Sequence, residues 1–423
     1  MPFQIESGVY LPNSVGGVQV FREKFVSLVA FGWGFCAFFP VGVMYLNLFL
    51  MLLVLVFSPG LMQHFRKLRG STAFLPIVLM LAWTLLAVAA GEWYPDTATR
   101  LFHTFRVALV LSLGLMLTAM EARVALAGFL VGAIFAALIV SAHHVWGMPD
   151  WAIWNGLLSS RNNFSSGNMI TMATASGILF FLGICDQTSR SDRWLALAAA
   201  LALTVIVALH AISRNSQLLL VVLLMTAVLF RFRSPGAVLG GLATVLLVAA
   251  MMWQFSPTTQ RRVIETVSDL RAIQAASNYR TSVGVRWRMY EEAVQGMIDH
   301  PVFGTGVGSW LPRWRADARV LDEHMPPGET KLVSEINNPH NDFLLTGMET
   351  GVIGMLMLIW LLASFIRTGW QRRSAAGGIT VVMGVSVFAT ALVNAPFRDA
   401  ALGMTLLWLL GVSVAAHGSR SDE

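Results

Sequence analysis

Charge is scarce in this sequence: Asp, Glu, Lys and Arg make up 12% of its 423 residues, where soluble domains carry about 25%. With 56% hydrophobic residues and a mean hydropathy of +0.66, that deficit excludes a soluble globular protein, whose core cannot absorb so much apolar surface. Cysteine is nearly absent. Cys36 and Cys185 fall far apart, in or beside apolar runs, without metal-ligand spacing, and no function is assigned to them. A short apolar core followed by a small-residue cleavage site is missing from the first stretch of about 24 residues, so that segment is expected to be retained. The excess of basic residues, a net +6 with a pI near 9.8, does not point to nucleic acid, because membrane proteins gather Lys and Arg in cytoplasmic loops for topological reasons.

What is present is a succession of apolar runs, each about the length that crosses roughly 30 Å of hydrocarbon as a helix. Reading runs against breakers places spans at about 25–42, 44–62, 72–90, 102–119, 123–142, 168–184, 194–211, 213–230, 236–254, 341–366, 375–393 and 399–417. The expected fold is an all-α polytopic membrane protein with about 12 transmembrane helices. With the N-terminus inside, the inner segments hold Arg22, Lys24, Arg66, Lys67, Arg69, Arg123, Arg190, Arg193, Arg231, Arg233, Arg367, Arg372, Arg373 and Arg420. The short outer segments hold only Arg100, Arg106, Arg161, Arg214 and Arg398. The positive-inside rule therefore puts both termini in the cytoplasm.

The organisation expected is spans over 1–254, one long outer loop over 255–340 and further spans over 341–423. A loop this long is uncommon without a function. Inside it, Trp287, Tyr290, Val294, Met297 and Ile298 share one face at helical spacing, and Pro301 with Gly304, Gly306 and Gly308 ends the pattern. These residues predict an amphipathic helix over the outer mouth of the bundle, followed by a turn. The Gly304–Gly308 run follows no strand and precedes no Lys-Ser/Thr, so it is read as a turn and not as a phosphate cradle.

Arginines on the wrong side of the topology are the informative charges. Arg161, Arg214 and Arg398 lie at outer span ends, where a guanidinium needs a partner. The bland account is snorkelling to headgroups or pairing with a loop carboxylate, Asp399 for Arg398. Several together suit a diphosphate, whose oxygens match the guanidinium fork. Within the loop, Arg286 and Arg288 precede Glu291 and Glu292 at helical spacings, and a surface pair of Arg288 with Glu292 is the bland expectation.

The stretch Asn337-Asn338-Pro339-His340-Asn341-Asp342 sits where the loop meets the tenth span. Pro339 is expected to open that helix, which places His340 near its positive end and keeps the imidazole neutral, as a general base requires. The adjacent His143 and His144 cannot share one ligand face, so no metal is expected there. The outer segments carry no Asp-x-Asp pair to hold a cation on a diphosphate, and no nucleotide signature appears. No cofactor is expected. Arginine would act where a metal otherwise does, on a substrate that is already activated.

Taken in order, these pieces resemble the O-antigen ligase and O-antigen polymerase superfamily. They are the Ser213-Arg214-Asn215 turn, Arg286-Trp287-Arg288-Met289-Tyr290 leading to His300-Pro301-Val302-Phe303-Gly304, and His340-Asn341 ahead of Gly351-Val352-Ile353-Gly354. The resemblance implies a GT-C-like bundle with one large helical periplasmic loop in a bacterial inner membrane. It implies an inverting glycosyltransferase that moves O-antigen from undecaprenyl diphosphate to a hydroxyl of the lipid A core. Carried onto this chain, His340 is the base and Arg288 stabilises the leaving group, with Arg161, Arg214, Arg286 and Asn341 as diphosphate-binding candidates. The expected partners are the undecaprenyl-diphosphate-linked donor, the lipid A core acceptor and the phospholipid bilayer, with no nucleic acid. An O-antigen polymerase or a protein O-oligosaccharyltransferase are the alternatives within the resemblance. The second is the less expected, because its members carry soluble sequence beyond the last span. A transporter of polyisoprenoid-linked glycan is the alternative outside it, disfavoured because the span centres hold almost no charge apart from Arg106.

Overall fold

The computed structural model describes residues 14–417 except 59, 148–157, 160–162, 165, 212, 277–278 and 324–334. Its helices are α1 (Ser14–Phe35, prolonged by a 3₁₀ turn to Phe38), α2 (Val41–Val56), α3 (Leu61–Gly70), α4 (Phe74–Ala90), α5 (Thr97–Met116), α6 (Ala119–Trp146), α7 (Ser166–Ile184), α8 (Arg190–His210) and α9 (Arg214–Arg231). They continue as α10 (Pro235–Phe255), α11 (Pro257–Ala276), α12 (Ser282–Asp299), α13 (Trp310–Glu323), α14 (Asp342–Arg372), α15 (Ala375–Val393) and α16 (Ala400–Ala415). A two-residue antiparallel pair, β1 (Leu158–Ser159) with β2 (Asn163–Phe164), precedes α7.

Among the described residues, eight helices are long and apolar enough to cross a membrane: α5 to α10, α14 and α15. Lys24–Phe38, α4 and α16 are shorter apolar helices, and α2 forms a bent pair with α3. The chain is therefore an all-helical multi-pass membrane protein. Starts are written in the sequence. Thr118 and Glu121 form a reciprocal capping box on α6, and Ser189, Ser234, Ser374 and Asp399 cap α8, α10, α15 and α16.

Lipid gives helices no hydrophobic reason to associate, so close backbone approach and buried hydroxyl pairs do that work. On α1 and α6, a Cβ at Gly34 would lie 2.2 Å from the Ala125 carbonyl, and one at Gly128 would lie 2.3 Å from that of Phe31. Thr174 on α7 meets Ser386 on α15 at 2.6 Å, and Ser176 on α7 meets Thr204 on α8 at 2.9 Å. Trp33 stacks on Trp408 at 4.5 Å between ring centroids, tying α1 to α16.

Three expectations need correction. The stretch read as one span over 44–62 stops at Val56, and α3 turns away carrying Arg66, Lys67 and Arg69. The long loop holds three helices, α11, α12 and α13. The buried face of α12 is Gly284, Met289, Ala293 and Gly296, while Trp287, Val294 and Ile298 are exposed. Met289 and Ala293 pack with Trp310, Trp314, Leu345 and Met348 in a small core of their own. This core selects the face: small residues and a methionine fit against α14, and the bulky stripe is left outside.

The span expected over 341–366 is broken at Gly351, whose φ of 78° only glycine adopts readily. A Cβ there would lie 2.0 Å from the Val302 carbonyl. The groups released by the break are satisfied locally. The Trp83 indole donates to the Thr350 carbonyl at 2.8 Å, and the Val352 amide donates to Pro301 at 2.9 Å. The residues between Asn341 and Gly351 form a short helix that packs with the loop layer, and the membrane-crossing part follows the kink.

Candidate active site

A cavity of about 520 Å³ opens where α2, α7, α9 and α16 begin and α15 ends. Its wall includes Ser213 and Asn215 from the α8–α9 turn, Asn168 and Thr171 from α7, Arg286 from α12, and His340. Asn394 and Asp399 come from the α15–α16 turn. Two of these side chains are fixed by their own elements. Asp399 caps α16 through the Leu402 amide at 2.9 Å, and the Asn215 amide donates to the Val393 carbonyl at 3.0 Å.

His340 is presented by a clamped loop. Its amide donates to the Asn338 side chain at 2.9 Å, and its φ of 54° is left-handed, a conformation rare without glycine and held only by firm surroundings. Next to it, Asn341 is extended and caps α14 through the Leu344 amide at 3.0 Å. Pro339 therefore does not open the helix, contrary to expectation, because the asparagine takes the capping position. The guanidinium of Arg100 holds the loop from behind by donating to the Asn337 carbonyl.

Electrostatics favour a neutral imidazole. Burial pushes the His340 basicity below the usual histidine range, the Arg286 guanidinium pushes it the same way, and a hydrogen bond with Asn394 opposes them. The positive helix end invoked from sequence is not needed. Arg286 is itself made less basic by burial and by the nearby guanidinium of Arg214, with Tyr290 acting in the other direction. Burial also raises the Tyr290 hydroxyl, opposed by Arg286 and by a hydrogen bond with Asn341.

The sequence-selected residues separate into groups. Arg286 and His340 share the cavity, and Asn341 caps α14 beside it. Arg214 is not among the lining residues, although its neighbours Ser213 and Asn215 are; it donates to the Thr266 hydroxyl on α11 and lies near enough to Arg286 to lower its basicity. Among the described residues neither Arg286 nor Arg214 forms an ion pair. Arg161 lies outside the described residues. Arg288 does not line the cavity: its guanidinium takes Asp317 of α13 at 3.0 and 2.5 Å and Glu291 at 3.2 Å. The expected pairing with Glu292 is replaced because Glu292 faces Arg313 at 2.9 Å. Two residues along a helix turn the side chain by more than half a revolution, which separates Arg286 from Arg288.

Arg398 does not pair with Asp399 either. It reaches Glu349 at 3.4 Å, and Arg100 reaches the same carboxylate at 3.2 Å. Glu349 is 1% exposed. Arg106, also buried, donates to the carbonyls of Phe397, Arg398 and Asp399 and to the Tyr45 hydroxyl. These arginines brace the α15–α16 turn that delivers Asn394 and Asp399. Sequence reading missed Asn394 and Glu349. The polar run Asn394-Ala395-Pro396-Phe397-Arg398-Asp399 between two spans was the available signal for the first, and nothing local marked the second.

Two cations without an ion-pair partner among the described residues thus lie near an imidazole of lowered basicity and several amides at one end of the helical bundle, an arrangement whose chemistry suits an anion. Residues 197–359 match the family described as O-antigen ligase. The matched segment contains Arg214, Arg286, Arg288, His340 and the Gly351 kink. No curated protein matches the chain.

Proposed function

We propose that this protein transfers O-antigen glycan from undecaprenyl diphosphate to a sugar hydroxyl of the lipid A core, completing lipopolysaccharide. The observation that carries the reading is the sharing of one cavity by His340 and Arg286, with Arg214 alongside. A ring nitrogen of His340 takes the proton of the acceptor hydroxyl as its oxygen attacks the anomeric carbon. The bond from that carbon to the diphosphate breaks, and its electron pair goes to the departing oxygen. Arg286 and Arg214 meet the growing negative charge. Attack opposite the leaving group inverts the anomeric centre.

Arg288 serves this arrangement indirectly. Through Asp317 it locks α12 onto α13, which aims Arg286. We infer twelve spans, from the eight long helices, the bent pair and the three shorter apolar helices. The distribution of basic residues supports cytoplasmic termini and a periplasmic cavity in the bacterial inner membrane.

The test is a choice of acceptor. Purified protein receives undecaprenyl-diphosphate-linked glycan with either rough lipopolysaccharide or a second lipid-linked glycan. The reading expects glycan on the lipopolysaccharide alone. Extension of the second lipid-linked glycan instead would make the protein a polymerase with the same site chemistry.

A further inference from the structure

A second cavity, of about 290 Å³, lies at the other end of the bundle, lined by Phe181, Asp186, Phe230, Arg231, Arg233 and Arg373 among others. Two helices measure its separation from the first. Near the start of α9, Asn215 lines the His340 cavity, and the last residue of the helix, Arg231, lines the second. Across α15, Asn394 lines the first and Ser374 the second. The 18 residues of α9 rise roughly 27 Å, close to the thickness of the hydrocarbon layer. The second cavity therefore sits at headgroup depth on the opposite membrane face.

Its charges are unequal. Arg231 is committed, with Nε on the Ile184 carbonyl at 2.9 Å and its terminal nitrogen on Asp186. Asp186 also faces Arg193 at 3.3 Å. Arg373 donates one bond to the Phe230 carbonyl at 2.9 Å, and its guanidinium lies 4.6 Å from the Trp370 ring and 5.1 Å from the Phe230 ring. Among the described residues the other donors of its planar fork have no acceptor. Its φ of 36° is left-handed, at the C-cap of α14. Arg233 is exposed, and among the described residues neither Arg233 nor Arg373 forms an ion pair. Above the cavity begins α15, whose amide end is polarised positively. Phe181 and Phe230 supply an apolar wall below.

We propose that this cavity binds the phosphate headgroup of an anionic phospholipid in the leaflet opposite the His340 cavity. Arg373 and Arg233 hold the phosphate oxygens, and the first methylenes of the acyl chains lie against Phe181 and Phe230. The site buttresses the junction of α7, α9, α14 and α15, three of which reach the catalytic end.

The experiment is lipid retention by the full-length protein, read by native mass spectrometry. The parent and an Arg233→Gln/Arg373→Gln variant are extracted from vesicles of phosphatidylglycerol in phosphatidylcholine, with inorganic phosphate titrated in a parallel arm. The parent is expected to keep one phosphatidylglycerol that the variant binds roughly tenfold more weakly, the loss expected for charge-assisted phosphate bonds. Phosphatidylcholine retention is expected to be equal. Equal phosphatidylglycerol retention by both proteins overturns the proposal. Displacement of the lipid by millimolar inorganic phosphate overturns the lipid assignment in favour of a free-phosphate site. Arg233→Gln alone, at an exposed side chain, carries the same test if the double variant does not fold.

Discussion

His340 and Arg286 line one cavity, where burial and then the Arg286 guanidinium push the basicity of the imidazole down. This relationship joins the two halves of the proposed chemistry: a base that is ready without prior deprotonation and a cation that waits for the leaving group.

The pairing has a pH signature. A cation beside His340 lowers its pKa, so the acidic limb of the rate profile should lie below the ordinary histidine value of about 6.5. Arg286→Gln removes that cation. The pKa then rises, and the limb should shift to higher pH even though the remaining rate is small. A limb that stays in place would separate His340 from the titrating group. The profile of kcat/KM against pH for the two proteins decides this.

Arg286 and Arg288, two residues apart, should fail differently. Arg286→Ala is expected to reduce transfer by about 10²- to 10³-fold, as when one donor to a developing anion is removed, with little change in unfolding temperature. Arg288→Ala strands Asp317 and Glu291. It should lower stability by about 1 kcal/mol for a partly exposed pair and reduce transfer less severely. Thermal unfolding and transfer assays on both variants provide the comparison.

Glu349→Gln leaves the buried guanidiniums of Arg100 and Arg398 without their shared carboxylate. Removing one partner of a buried ion network costs about 3–5 kcal/mol, so this variant should lose folded yield in size-exclusion chromatography. A fully stable, active Glu349→Gln would contradict the bracing role.

Gly351→Ala meets both a positive φ and a Cβ 2.0 Å from the Val302 carbonyl. Strain of this kind costs about 1–3 kcal/mol, and the displaced kink would also move the short helix that follows His340. The expected result is a lower unfolding temperature together with reduced transfer.

Several of these features are legible in the sequence. Runs of apolar residues located the helices, because lipid forces each crossing segment to satisfy its own backbone. The His340-Asn341 stretch marked where α14 begins, but the kink was not legible: an unbroken span over 341–366 was expected, and Gly351 interrupts it. The choice between Arg286 and Arg288 was not legible, since it depends on Asp317, which reaches Arg288 from another helix. The exposed face of α12 misled for a related reason: its apolar stripe suggested burial, whereas Met289, Ala293 and Gly296 fit α14. Glu349 was hidden because its partners, Arg100 and Arg398, come from elements far apart in sequence.

Among the described residues no three His, Cys, Asp or Glu side chains converge as metal ligands, so chelator belongs in the decisive assay. Glycan transfer from undecaprenyl-diphosphate donor to rough lipopolysaccharide is measured with excess chelator, for the parent and for His340→Ala with an unchanged unfolding temperature. The account predicts product from the parent in chelator and a loss of at least about 10²-fold in the variant, the range of a missing general base. Undiminished transfer by a folded His340→Ala protein would contradict it.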